Sequence, residues 1–96
     1  MQLIILGAGG YGRTVADVAA QTGAYSEIFF LDDNSTAPDV LGKCAEFVRF
    51  RDGQTAFYPA FGNNESRLAW LSRLREAGCA IPTIIIPRPT SAQRRR

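Results

Sequence analysis

Two groups of residues with the means to do chemistry stand in the first third of the chain. One is a glycine turn, Gly7-Ala8-Gly9-Gly10-Tyr11-Gly12; the other is the acidic pair Asp32-Asp33, with Asp32 20 positions beyond Gly12. Without Cβ atoms at Gly9 and Gly10, a phosphate or a ribose can approach the main chain closely. Free N–H groups of the helix turn that follows would then meet the anion, with the helix dipole adding ~0.3–1 kcal/mol. The alternative is that these glycines only permit a tight turn and close helix packing. Asp32 has the spacing of the acid that accepts a ribose hydroxyl in dinucleotide-binding folds, although Asp32-Asp33-Asn34 also reads as a plain polar turn. In the first case, replacing Asp32 would remove a ligand contact and leave the fold intact. A third group, Gly62-Asn63-Asn64, offers amide side chains with paired donors and acceptors; capping of the next helix accounts for one Asn without any ligand. Arg67, one turn further on, is either a phosphate contact or a solvated surface cation.

The elements that must position these groups follow from hydrophobic pattern. Gln2 to Leu6 is a continuous apolar run, as expected of a strand buried on both faces of a parallel sheet, and it ends at Gly7. Val15, Val18, Ala19 and Thr22 recur at helical spacing from Gly12 to Thr22, with Gly23 at the helix end. Glu27 to Leu31 gives a second strand that stops at the acidic pair. The stretch 35–54 is open: "CAEFVRF" reads either as a short helix or as an alternating strand. Thr55 to Phe61 reads as a third strand, with Pro59 near its end because proline cannot donate to a ladder. A second helix runs from about Glu65 to Ala77, with Leu68, Trp70, Leu71 and Leu74 on its apolar stripe and Asn63 or Asn64 as its cap. "PTIII", Pro82 to Ile86, gives a fourth strand.

Strands alternating with helices predict a three-layer α/β domain, a Rossmann-like half with a short, mostly parallel sheet of about four strands. Residues 1–89 form this domain and 90–96 a disordered basic tail. If the third strand flanks the first on the side away from the second, a crevice opens at the switch point beside the glycine turn. Its walls are the loops 7–11, 32–34 and 62–64.

Composition narrows the partners. The chain has 96 residues, a hydrophobic fraction of 46% and a formal net charge of +2. Three of its eleven basic residues are Arg94, Arg95 and Arg96; the body therefore carries eight basic against nine acidic groups, a net −1. Lys and Arg are scattered singly there, and no nucleic-acid footprint is expected. No apolar run approaches the ~20 residues of a membrane span, and no signal peptide opens the chain. With two cysteines, no CxxC and no histidine, no metal site and no Cys/His nucleophile is expected. Cys44 and Cys79 read as small core residues in a reducing, cytoplasmic setting.

The segments "ILGAGGYG", "FFLDDN", Leu41-Gly42, "AFGNNESR" and "IPTIII" occur in the order and at about the spacing of the amino-terminal domain of the sugar O- and N-acetyltransferases of the sialic-acid and bacillosamine pathways. The sequence resembles that family up to about Pro87. The resemblance implies binding of a UDP-amino-sugar or related sugar nucleotide. Gly9, Gly10 and Tyr11 would approach the phosphates and sugar, Asp32 and Asp33 would hold the uridine, and Gly62, with Asn63 beside it, would line the pocket. Family members usually have His where this chain has Tyr11, and they continue into a left-handed β-helix that binds acetyl-CoA and supplies the catalytic histidine. The expectation for this chain is a substrate-binding domain, inactive by itself and without a cofactor of its own, partnered by a separate β-helix half. One alternative, an NAD- or flavin-binding redox domain, uses the same turn, but NAD does not explain Gly62-Asn63-Asn64; the other is a regulatory or interaction domain that merely retains the scaffold.

Overall fold

A computed structural model describes residues 1–84. Its elements are β1 (Gln2–Leu6), α1 (Gly10–Thr22), β2 (Glu27–Leu31), β3 (Val40–Gly42), a 3-10 helix (Cys44–Phe50), β4 (Thr55–Pro59) and α2 (Asn64–Glu76). The four strands form one parallel sheet in the order β3-β2-β1-β4. β1 is central, and Leu3, Ile4, Ile5 and Leu6 are all fully buried. Because successive side chains point to opposite faces, Leu3 and Ile5 pack with Val15 and Ala19 of α1. Ile4 and Leu6 pack on the other face with Phe47, Phe57 and Leu74. That two-sided burial is why β1 carries an unbroken apolar run.

The second face is held largely by aromatic rings. Phe47 stands edge-on to Phe57 at 6.0 Å and to Trp70 at 5.8 Å between ring centroids, a geometry favoured by ring quadrupoles. Leu74 is the α2 residue buried there, whereas Leu68, expected on the apolar stripe, is 54% exposed. On the first face, α1 ends at Gly23, whose φ of 72° is the left-handed conformation that glycine adopts cheaply.

Two details fill the stretch the sequence left open, and one departs from the sequence expectation. β3 is an added edge strand, fixed by Phe30 N–H donating to Asp39 O at 3.0 Å and Asp32 N–H to Gly42 O at 2.9 Å. "CAEFVRF" is a 3-10 helix, with Cys44, Phe47 and Phe50 recurring every third residue toward the second core face. The fourth strand expected over Pro82–Ile86 is reduced, among the described residues, to a single parallel bridge between Ala56 and Ala80; Ile85 and Ile86 lie outside the described residues, as does the basic tail. Phe57 N–H donates to Ala80 O at 2.9 Å. The next rungs of a parallel ladder need N–H groups from residues 82 and 59, and both are proline. Pairing stops there for want of donors.

No helix among the described residues is long and apolar enough to cross a membrane.

Candidate functional site

With β4 and β2 on either side of β1, the switch point falls beside the glycine turn. A cavity of about 420 Å³ opens there at the carboxyl ends of the strands. The glycine turn supplies Gly7, Gly9, Gly10 and Tyr11 to its wall, the loop after β2 supplies Asp32, Asp33 and Asn34, and the loop after β4 supplies Ala60, Phe61 and Gly62. Cys44 also borders it. A smaller cavity, about 270 Å³, lies at the other end of β4 around Arg51, Gly53 and Ala80, away from the glycine turn.

The glycines divide into two kinds. Gly7 has φ of 105°, and a Cβ on it would sit 2.8 Å from the Ala60 carbonyl oxygen; a Cβ on Gly12 would sit 1.9 Å from the Gly7 oxygen. The fold itself requires both. By contrast, a Cβ on Gly9, Gly10 or Gly62 meets nothing within 4 Å, and none of the three has a positive φ. Gly9 is in ordinary extended geometry at φ −80°, ψ −165°, and Gly10 is the first residue of α1. All three border the cavity. The protein's own packing gives no reason for glycine at these positions.

The two aspartates are differently committed. Asp32 Oδ2 accepts from Ala8 N–H at 2.7 Å, and Oδ1 accepts from Asn34 N–H at 2.8 Å and Ser35 N–H at 2.9 Å. Asp32 therefore ties the glycine turn to its own loop, so its replacement is expected to destabilise the turn, where the ribose-contact reading expects an intact fold. The Ala8 bond is the main cause holding its carboxyl below the usual carboxylate range, against partial desolvation; Asn34, Ser35 and the Arg13 charge add to it. Asp33 is exposed, and its Oδ1 accepts from Cys44 N–H at 3.0 Å. Each oxygen of an ionised carboxylate has two acceptor sites, and Asp33 retains more unused capacity than Asp32.

Arg13, which the sequence did not mark, completes the support from below. Its Nε donates to Ala8 O at 3.3 Å, its two terminal nitrogens hold Asp39 at 2.5 and 3.1 Å, and the guanidinium stacks over Phe30 at 4.1 Å. Both polar groups of Ala8 are thereby fixed, one by Asp32 and one by Arg13. Cys44 is buried, and its thiol is pushed up to about 12, by burial first and by the Asp33 and Asp32 charges next. It stays protonated at neutral pH.

Asn63 does not border the cavity; its Oδ1 accepts from Ser66 N–H at 2.9 Å and caps α2. Replacing Asn63 with Ala is expected to cost about 1 kcal/mol, read as a lower urea midpoint with an unchanged slope. Tyr11 stands at the rim, 36% exposed, with its hydroxyl beside Tyr58. Thus Gly9, Gly10, Tyr11, Asp32, Asp33 and Gly62 meet around one crevice and Asn63 serves the adjoining helix.

This fold and crevice define a Rossmann-like half: a parallel sheet with one glycine turn at its switch point and an acidic loop beside it. Residues 2–74 match the family described as PglD N-terminal domain, and the chain belongs to that family. Two solved structures are similar to it. One is the acetyltransferase domain of PglB from Neisseria gonorrhoeae FA1090, at 33% identity and a TM-score of 0.81. The other is the same domain in complex with acetyl coenzyme A, at 33% identity and a TM-score of 0.82. Each match covers 90% of this chain and 44% of the other, so the chain spans less than half the length of those structures. No curated protein sequence matches significantly.

Proposed function

We propose that this domain is the substrate-binding part of a sugar acetyltransferase and that its crevice holds a UDP-amino-sugar or a related sugar nucleotide. The observation that carries the reading is the set Gly9, Gly10 and Gly62. They border one cavity at a helix N-terminus, and neither backbone conformation nor packing demands glycine there. A diphosphate over Gly9 and Gly10 receives the unpaired N–H groups of α1. Uridine lies toward Asp33, whose spare acceptor sites suit imide and hydroxyl donors. Asp32 supports the turn from behind this contact, Tyr11 reaches the sugar from the rim, and Asn63 keeps the loop of Gly62 in place through its cap.

The domain alone is silent in acetyl transfer. That reaction needs a base near the acceptor amine or hydroxyl, with a pKa near the working pH. Around this crevice, Asp32 is held too acidic and Cys44 too basic for the task, and the chain has no histidine. The base and the acetyl-CoA site lie outside this domain.

Thermal unfolding in the presence of UDP, UDP-N-acetylglucosamine, NAD or acetyl-CoA tests the reading. At 100 times its dissociation constant a ligand stabilises the fold by about 2.7 kcal/mol, which raises Tm by about 10–20 °C in a domain of this size. The rise is expected with the two uridine compounds. A rise with NAD alone makes the domain a redox module, and no rise with any of them removes the nucleotide.

A further inference from the structure

The crevice is electrically lopsided, and three cations lie near enough to matter. Asp32 and Asp33 stand on its β2 side, and among the described residues no basic side chain borders the cavity. A diphosphate brought into it meets those two carboxylates and needs more positive charge than one helix end supplies, roughly half an elementary charge. Arg13 is spent on Asp39 and Ala8. Lys43 stands beside Glu46, on the acidic side. Arg67 remains.

Arg67 sits in the first turns of α2, half-buried, and its Nη1 donates to the carbonyl of Phe61, a residue that borders the cavity, at 3.4 Å. Nη2 donates to Asn64 Oδ1 at 2.6 Å. Among the described residues no carboxylate lies within ion-pair distance of it, the pairs there being Arg13 with Asp39 and Arg49 with Glu46. Two of five guanidinium donors are in use, one of them at the limit of hydrogen-bond length. Tyr58 of β4 lies near both the Tyr11 hydroxyl and the Arg67 guanidinium. Arg67 is thus anchored through Phe61 to the β4-side wall of the crevice, and the acidic loop forms its β2-side wall.

We infer that Arg67 is the cation that grips the anionic part of the ligand, so that the crevice takes the diphosphate between the α1 amides and the Arg67 fork and turns the hydrogen-bond donors of the nucleoside toward Asp33. This inference rests on the sugar-nucleotide reading. The bond to Phe61 O, already long, gives way to a phosphate oxygen, a stronger acceptor because it is charged. The bond to Asn64 keeps the fork aimed.

The test separates charge recognition from loop support by comparing UDP with uridine, each titrated by NMR into wild-type protein and Arg67→Gln. UDP affinity is expected to fall about tenfold or more in the variant, with uridine affinity unchanged within about twofold. In the wild-type protein, which needs no altered chain to fold, the Arg67 Nε–H resonance is expected to shift with UDP and not with uridine. Equal losses for both ligands make Arg67 a loop clip and overturn the inference. So does an Arg67 resonance indifferent to UDP that the wild type binds. Failure of the wild type to bind UDP at all is a different result, which overturns the sugar-nucleotide reading and this inference with it.

Discussion

Alanine at Gly10 is expected to leave the domain folded, and slightly more stable, while UDP affinity drops at least tenfold, about 1.4 kcal/mol. Alanine at Gly12, two residues along the same turn, is expected to destroy the fold. The contrast follows from what a methyl group meets. At Gly10 nothing lies within 4 Å, and the residue is already helical. The added Cβ restricts the unfolded chain and stabilises by about 0.5–1 kcal/mol. Gly10 borders the cavity, so on the proposed sugar-nucleotide reading the methyl group also intrudes where the diphosphate would touch the backbone. At Gly12 the Cβ falls 1.9 Å from the Gly7 oxygen. Relief requires α1 to move away from β1, which separates Val15 and Ala19 from Leu3 and Ile5. Ordinary overpacking costs about 1–3 kcal/mol; a backbone collision this short exceeds it and takes most of a stability of ~5–10 kcal/mol. Circular dichroism with calorimetric UDP titration reads both outcomes. If Gly10→Ala binds UDP as the parent does, the cleared space has no diphosphate in it and the crevice serves something else.

The same contrast shows where the sequence was legible. β1 and β2 could be read to the residue because each is an unbroken apolar run closed by a residue of another kind, Gly7 in one case and Asp32 in the other. The side-by-side order of β2, β1 and β4 was open in the sequence and entered only as a condition; with that condition met, the three loops of the crevice follow from it. β3 was not legible. Its three residues, Val40–Gly42, carry no pattern, and they are a strand because β2 offers Phe30 N–H and accepts the neighbouring chain. The 3-10 helix did leave a signal, the spacing of Cys44, Phe47 and Phe50, which three residues per turn place on one side. In "IPTIII" the apolar run outweighed its proline, although the missing N–H at Pro82 is what ends the pairing. For the site, pattern gave position but not commitment. It brought Asp32 to the crevice and could not reveal that Ala8, Asn34 and Ser35 would occupy its oxygens.

That occupation gives the second large effect, at Asp32. Asp32→Ala leaves three backbone N–H groups without their acceptor, and bonds to a charged acceptor contribute about 1.5–3 kcal/mol each. Water reaches this partly exposed loop and replaces some of the loss; a net cost of about 2–3 kcal/mol is expected, read as a lower denaturant midpoint. The bonded carboxylate is held below its unfolded value of about 3.9, so the folded state binds the proton less readily than the unfolded state does. The stability Asp32 contributes is therefore complete above about pH 4 and is lost as the pH falls through its folded value. Asp32→Asn keeps the shape, loses the charge, and offers Ala8 N–H either a weaker acceptor or an NH₂ group. Its stability is expected to lie below that of the parent at pH 7, and the gap to close on acidification below pH 4. UDP affinity should fall in both variants because the Gly9 and Gly10 amides are no longer held, and uridine affinity should fall with it, unlike the selective loss at Arg67. A gap that stays constant from pH 7 to pH 3 means the Asp32 charge plays no part in holding the turn, and the tie between the acidic loop and Ala8 is then no determinant of the site.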